Sequence, residues 1–109
     1  MNNSLENLKI AVAMRAARTA LGWNQQELAD LTSVAKSTIA RIETLEMTAK
    51  ADYLTRVLRQ FRELDVSVEL LDADRVTFTV GPKGLTEAKN RLEDDAKRRS
   101  DRKKVLSRC

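Results

Sequence analysis

No histidine occurs in this sequence, and its one cysteine, Cys109, is the final residue. Those two facts remove the commonest general base, the commonest metal ligand and any internal disulfide. Carboxylates are plentiful, but no Gly-rich phosphate loop or nucleophile motif stands beside them. The side chains therefore argue against an enzyme and call for no metal or other cofactor. What remains is recognition by charge and hydrogen bond. The chain carries 20 Lys and Arg against 16 Asp and Glu, which gives a net charge of +4 and favours a polyanionic partner. The surplus is uneven. From residue 1 to 80 the acidic side chains slightly outnumber the basic ones, and the excess sits in "KRRSDRKKVLSRC". A binding surface in the front half must rest on particular residues.

The elements that would position such residues are mostly helical. Charged residues make up 33% of the chain and aromatics only 4%, a mixture that disfavours a large β-sandwich. A first helix is expected over about 5–21, capped by Ser4, with Leu5, Leu8, Val12 and Ala16 at helical spacing and Gly22 at its end. Asn24 opens a second helix, where "NQQE" has the form of a capping box with Asn in the Ser or Thr place. After "TSVA" a third helix begins near Lys36, with Ile39, Ile42 and Leu45 on one face. A fourth spans about 51–64, with Leu54, Val57, Leu58, Phe61 and Leu64 as its apolar stripe.

Beyond Asp65 the period changes from 3.6 to 2. Val66, Val68 and Leu70 alternate with polar residues, as do Val76, Phe78 and Val80 after "DADR", which predicts a β-hairpin with a four-residue turn. "GPKG" breaks the second strand. A charged helix is expected from about Thr86 to Ala96, with Leu85, Ala88, Leu92 and Ala96 as a thin apolar line. The expected fold is mainly α: a compact helical bundle, then the hairpin, then the charged helix. The expected division is a four-helix unit (1–65), a hairpin and helix suited to dimerisation (66–96) and a basic tail (97–109).

The second and third helices are very short, and helices of that length are marginal alone. Two of them joined by a tight turn form a helix-turn-helix, in which the first steadies the second and the second lies in the DNA major groove. Arg41 is one helical turn beyond Ser37, on the same exposed side.

"RAARTALGWNQQELADLTSVAKSTIARIE", Arg15 to Glu43, resembles the lambda Cro/CI repressor type of helix-turn-helix, the XRE-like family. Arg18, Gly22, Gln25, Glu27, Leu28, Ala29, Val34, Ser37, Ile39, Ile42 and Glu43 carry the likeness, which extends over roughly residues 8–64. The resemblance implies a double-stranded DNA partner. It implies base contacts from Lys36, Ser37, Thr38 and Arg41, a phosphate contact from Gln25 and a backbone contact from Lys50. It also implies an ion pair between Arg18 and Glu43, and Ala29 as the small residue where two helices approach. Two departures stand out: Ser33 replaces the usual turn glycine, and Ala35 replaces the usual Ser or Thr N-cap.

The expected function is sequence-specific transcriptional regulation, as a cytoplasmic, homodimeric repressor on a palindromic operator, with no membrane association. A second reading is an antitoxin that neutralises a protein partner, such as a toxin or another regulator, and controls its own promoter. It rests on a likeness to HipB-like antitoxins, in which β-structure after the helix-turn-helix joins two subunits. Trp23 is read as core. Arg56, Arg59 and Arg62 are read as a solvated stripe. The basic tail is read as solubilising, with non-specific attraction to phosphate beside a DNA-binding unit.

Overall fold

The computed structural model describes residues 5–106, with side chains as far as residue 99. Ser4 and Cys109 lie outside the described residues. Seven elements follow in order: α1 (Leu5–Leu21), α2 (Gln25–Thr32), α3 (Lys36–Glu43), α4 (Ala51–Glu63), β1 (Val66–Glu69), β2 (Thr77–Val80) and α5 (Pro82–Leu106). Among the described residues, no helix is long and apolar enough to cross a membrane.

The helix ends explain how so short a chain packs. Gly22 takes φ 76, so its N–H reaches the Thr19 carbonyl and the Trp23 N–H reaches that of Arg18, both at 3.0 Å. That is a Schellman closure of α1. α3 closes the same way around Leu45, at φ 64, with Glu46 donating to the Arg41 carbonyl at 2.8 Å. Leu45 therefore ends the helix rather than extending its apolar face. Leu64 caps α4 rather than belonging to it.

The core joins the first four helices to the first strand. Met14, Ala17, Leu21, Trp23, Leu28, Ile39, Ile42, Val57, Phe61 and Val66 form one cluster. The Trp23 and Phe61 rings stack with centroids 6.2 Å apart. The apolar line expected on α1 faces the other way. Leu5, Leu8 and Val12 are each about half exposed, and the buried side is Ala13, Met14, Ala17 and Leu21. Its small residues let neighbouring elements approach, and Arg18, turned toward α3, fixes the rotation of the helix.

The two strands pair antiparallel, Val66 opposite Val80 and Val68 opposite Phe78. Its apolar face turns onto its own helical unit, where Val66 is fully buried and Val68 and Val80 pack against the core. The connection is longer than the four residues expected, because the ladder stops at Glu69 and resumes at Thr77. Lys9, buried on α1, accounts for this. Its ammonium donates to the Leu70 carbonyl at 2.6 Å and to that of Asp72, which draws the backbone out of the ladder.

The last helix starts at Pro82, not near Thr86, and runs through Ala96 to Leu106. Proline at the first helical position costs no hydrogen bond there. The preceding Gly81 carbonyl accepts from the Leu85 N–H at 3.0 Å, and the Asp65 carboxylate accepts from the Lys83 N–H at 3.1 Å. Asp65 thus ends α4 in a left-handed conformation, φ 60, and supplies the missing cap of α5. Leu85 and Leu92 are exposed.

Candidate nucleic-acid interface

The site is built on α2 and α3. The capping box opens α2: the Glu27 N–H donates to Asn24 Oδ1 at 2.8 Å, and the Asn24 N–H donates to Glu27 Oε1 at 3.2 Å. The helix ends at Ser33, left-handed at φ 58. A side chain in that conformation costs about 1–2 kcal/mol. Ala35 then starts α3 without a side-chain cap. The turn keeps the geometry that glycine normally supplies, at a cost in stability.

Below α3, the buried carboxylate of Glu43 is fully matched. Glu43 is 4% exposed, yet its carboxylate accepts from Arg18 Nη2 at 2.9 Å, from Arg18 Nε at 3.1 Å and from Gln25 Nε2 at 3.1 Å. Arg18 also donates to the Trp23 carbonyl at 2.9 Å. One buried carboxylate thereby ties α1, α2 and the end of α3 together. A fork-shaped guanidinium suits this bidentate pairing. The family resemblance implies a phosphate contact for Gln25; here one of its two amide N–H groups is directed to Glu43. The first turn of α2, where Gln25 stands, is also where backbone N–H groups favour an anion.

Above α3 the situation is reversed. Ile39 and Ile42 point to the core, so Lys36, Ser37 and Arg41 share the exposed side and Thr38 stands half-buried at its flank. Among the described residues, Lys36 and Arg41 form no ion pair. Lys50, at the start of α4, lies with its ammonium 5.8 Å from the Tyr53 ring centre, and Arg56 lies on the same ring at 5.7 Å. Arg56 also faces Asp52 at 3.6 Å, while Arg59 and Arg62 are exposed.

One contact had no signal in the sequence. Arg91 of α5 forms an ion pair with Glu27 in the first turn of α2, and a second with Glu87 at 3.0 Å. The hydrogen bond to Glu87, then the contact with Glu27, holds the Arg91 guanidinium above its ordinary pKa. α5 crosses so close to Gly22 that a side chain there would press on the Arg91 Cβ, 2.8 Å away. Gly22 thus serves both the helix cap and this crossing. The charged face of α5 is not identifiable as a docking surface from its periodicity, because no apolar residue marks it.

Residues 14–70, just over half of the chain, match the family described as helix-turn-helix. That span runs from the middle of α1 past the end of β1 and contains the whole α2–α3 unit. Comparison with curated proteins and with solved structures gives no match.

Proposed function

The chain belongs to the XRE-like helix-turn-helix family of DNA-binding transcription regulators, and on that premise we propose that it is a sequence-specific repressor binding a palindromic operator as a homodimer. The observation that carries this reading is the outward face of α3. Lys36, Ser37 and Arg41 stand exposed with no ion pair to satisfy them among the described residues, on a helix held from beneath by Arg18, Glu43 and Gln25. Placed in the major groove, the first turn brings Lys36, Ser37 and Thr38 to base edges. Arg41 follows one turn on, and Arg to guanine is the commonest specific contact. Gln25 and Lys50 meet phosphates on either side, which sets register without reading sequence.

Repression is then positional: an occupied promoter excludes polymerase. A dimer follows from the need to hold two recognition helices about one helical turn of DNA apart. Val66, Val68 and Val80 pack within their own chain, so a second copy would meet the strand edges, the exposed Leu71 and Phe78 of the hairpin region and Leu85 and Leu92 of α5.

In vitro selection of bound DNA from a random pool tests the reading. The expected product is a motif of two inverted half-sites, spaced about 10 base pairs centre to centre. A single unpaired half-site would exclude the dimer, and a pool without any enriched motif would exclude sequence-specific binding.

A further inference from the structure

We propose that the C-terminal half of α5 is a second DNA contact, an arm that lies along the phosphate backbone flanking the half-site. The proposal rests on the reading above, in which the first turn of α2 sits at a phosphate. Its basis is the direction of α5. The helix begins against the end of α4: a side chain on Gly84 would lie 2.8 Å from the Leu64 carbonyl and press on Val66 and Val80. Lys50, on the DNA side in this reading, is at the opposite end of α4, about 20 Å away for a helix of this length. From Leu64, α5 runs to Gly22 and Glu27, which Arg91 touches. One to two turns further, Asp95 and Arg98 line a cleft with Asn24, the N-cap of α2. The helix therefore travels from the remote end of the unit toward its phosphate-binding end, and continues past it.

Its charge changes at that point. "LEDD" precedes Ala96 and "KRR" follows, with Arg102, Lys103 and Lys104 further along the same helix. The ten residues from Lys97 to Leu106 rise about 15 Å. The molecule extends 53 Å along its longest axis against 31 and 26 Å across, in keeping with a helix that stands out from the body. Opposite charges four apart on a solvated helix can pair along it. Carboxylates at 93, 94 and 95 stand four residues before bases at 97, 98 and 99, the favourable order for such pairs. Those pairs are not made. Glu93 turns back to Lys89 at 3.7 Å, and Lys97, Arg98 and Arg99 are exposed and form no ion pair among the described residues. Exposed basic groups beside a DNA-binding turn fit phosphate, which they neutralise whatever the base sequence.

The test uses the full chain and two duplexes carrying the selected site, one trimmed to its edges and one with flanking DNA on both sides. Wild type binds the flanked duplex the more tightly. The variant Lys97→Gln, Arg98→Gln, Arg99→Gln loses that preference and keeps the affinity of wild type for the trimmed duplex. Because Arg98 also faces the cleft, a second variant, Arg102→Gln, Lys103→Gln, Lys104→Gln, removes charge further from it and shifts the preference the same way. If two phosphate contacts are lost, the advantage of wild type shrinks about tenfold between about 50 and about 200 mM salt. Equal wild-type affinity for both duplexes, or a flank preference that survives in both variants, overturns the arm while leaving the helix-turn-helix reading intact. Failure to bind either duplex overturns that reading and the arm with it.

Discussion

The two sides of α3 treat charge in opposite ways. On the inner side Glu43 is buried and receives three hydrogen bonds from Arg18 and Gln25. On the outer side Lys36 and Arg41 stand in solvent without an ion pair among the described residues. A buried carboxylate must be paired, because its desolvation is otherwise unaffordable to a small core. An exposed guanidinium carries no such need, and holding it in an ion pair would add little to stability. The contrast teaches where each function resides: the inner network fixes the angle of an eight-residue helix, and the outer groups remain free for a partner.

The inner side is where the comparison breaks most severely. Glu43→Ala leaves the Arg18 guanidinium, largely buried, without its carboxylate. We expect a loss of about 3 kcal/mol in unfolding free energy, the low end for a broken buried pair because Arg18 retains the Trp23 carbonyl and some solvent. Urea denaturation measures this. A loss below about 0.5 kcal/mol, the range of ordinary surface substitutions, would show that the network adds nothing to the fold. Arg41→Ala should behave in the opposite manner. Stability should stay within about 0.5 kcal/mol, while affinity for the selected site falls by about 1–3 kcal/mol and preference relaxes at one base position. An unchanged motif from repeated selection would remove Arg41 from the base-reading face.

The same contrast governs what could be read from the sequence. Features fixed by local geometry were legible. Asn24 and Glu27 are three residues apart and form the predicted capping box. Gly22 ends α1, and the alternation after Asp65 marks the two paired strands. The spacing of Lys36, Ser37 and Arg41 against Ile39 and Ile42 already separates an outer from an inner side, and the structure brings those three onto one face. Features decided at long range were not legible. The Leu5, Leu8 and Val12 line has the better helical spacing, yet Arg18 and the alanine side of α1 determine its rotation. "GPKG" reads as a break, because the cap that turns it into a helix start is Asp65, well upstream. Lys9 and Arg91 are surface residues by type, and only the packed chain gives them the hairpin carbonyls and the α2 carboxylate.

Smaller effects sharpen the comparison at the turn. Ala35→Ser should stabilise the protein by about 1 kcal/mol by restoring an N-cap, and Ser33→Gly by a similar ~1 kcal/mol by relieving the left-handed side chain. Thermal unfolding measures both. A destabilised Ser33→Gly protein would mean that the serine side chain contributes more than its backbone conformation costs. Least of all should be Arg62→Ala, on the exposed face of α4, with changes within about 0.5 kcal/mol in unfolding free energy. A marked loss of DNA affinity there would move the binding surface from α3 to α4.

The central claim is that the bare side of α3 meets the bases while the paired side holds it. Titration of isotope-labelled full-length protein with the selected duplex, followed by backbone amide NMR, addresses it most directly. The account predicts that the largest shifts fall on Gln25 and on residues 36–41, with the exposed face of α4 around Arg59 and Arg62 nearly unmoved. Large shifts along α4 with a quiet α3 would contradict it.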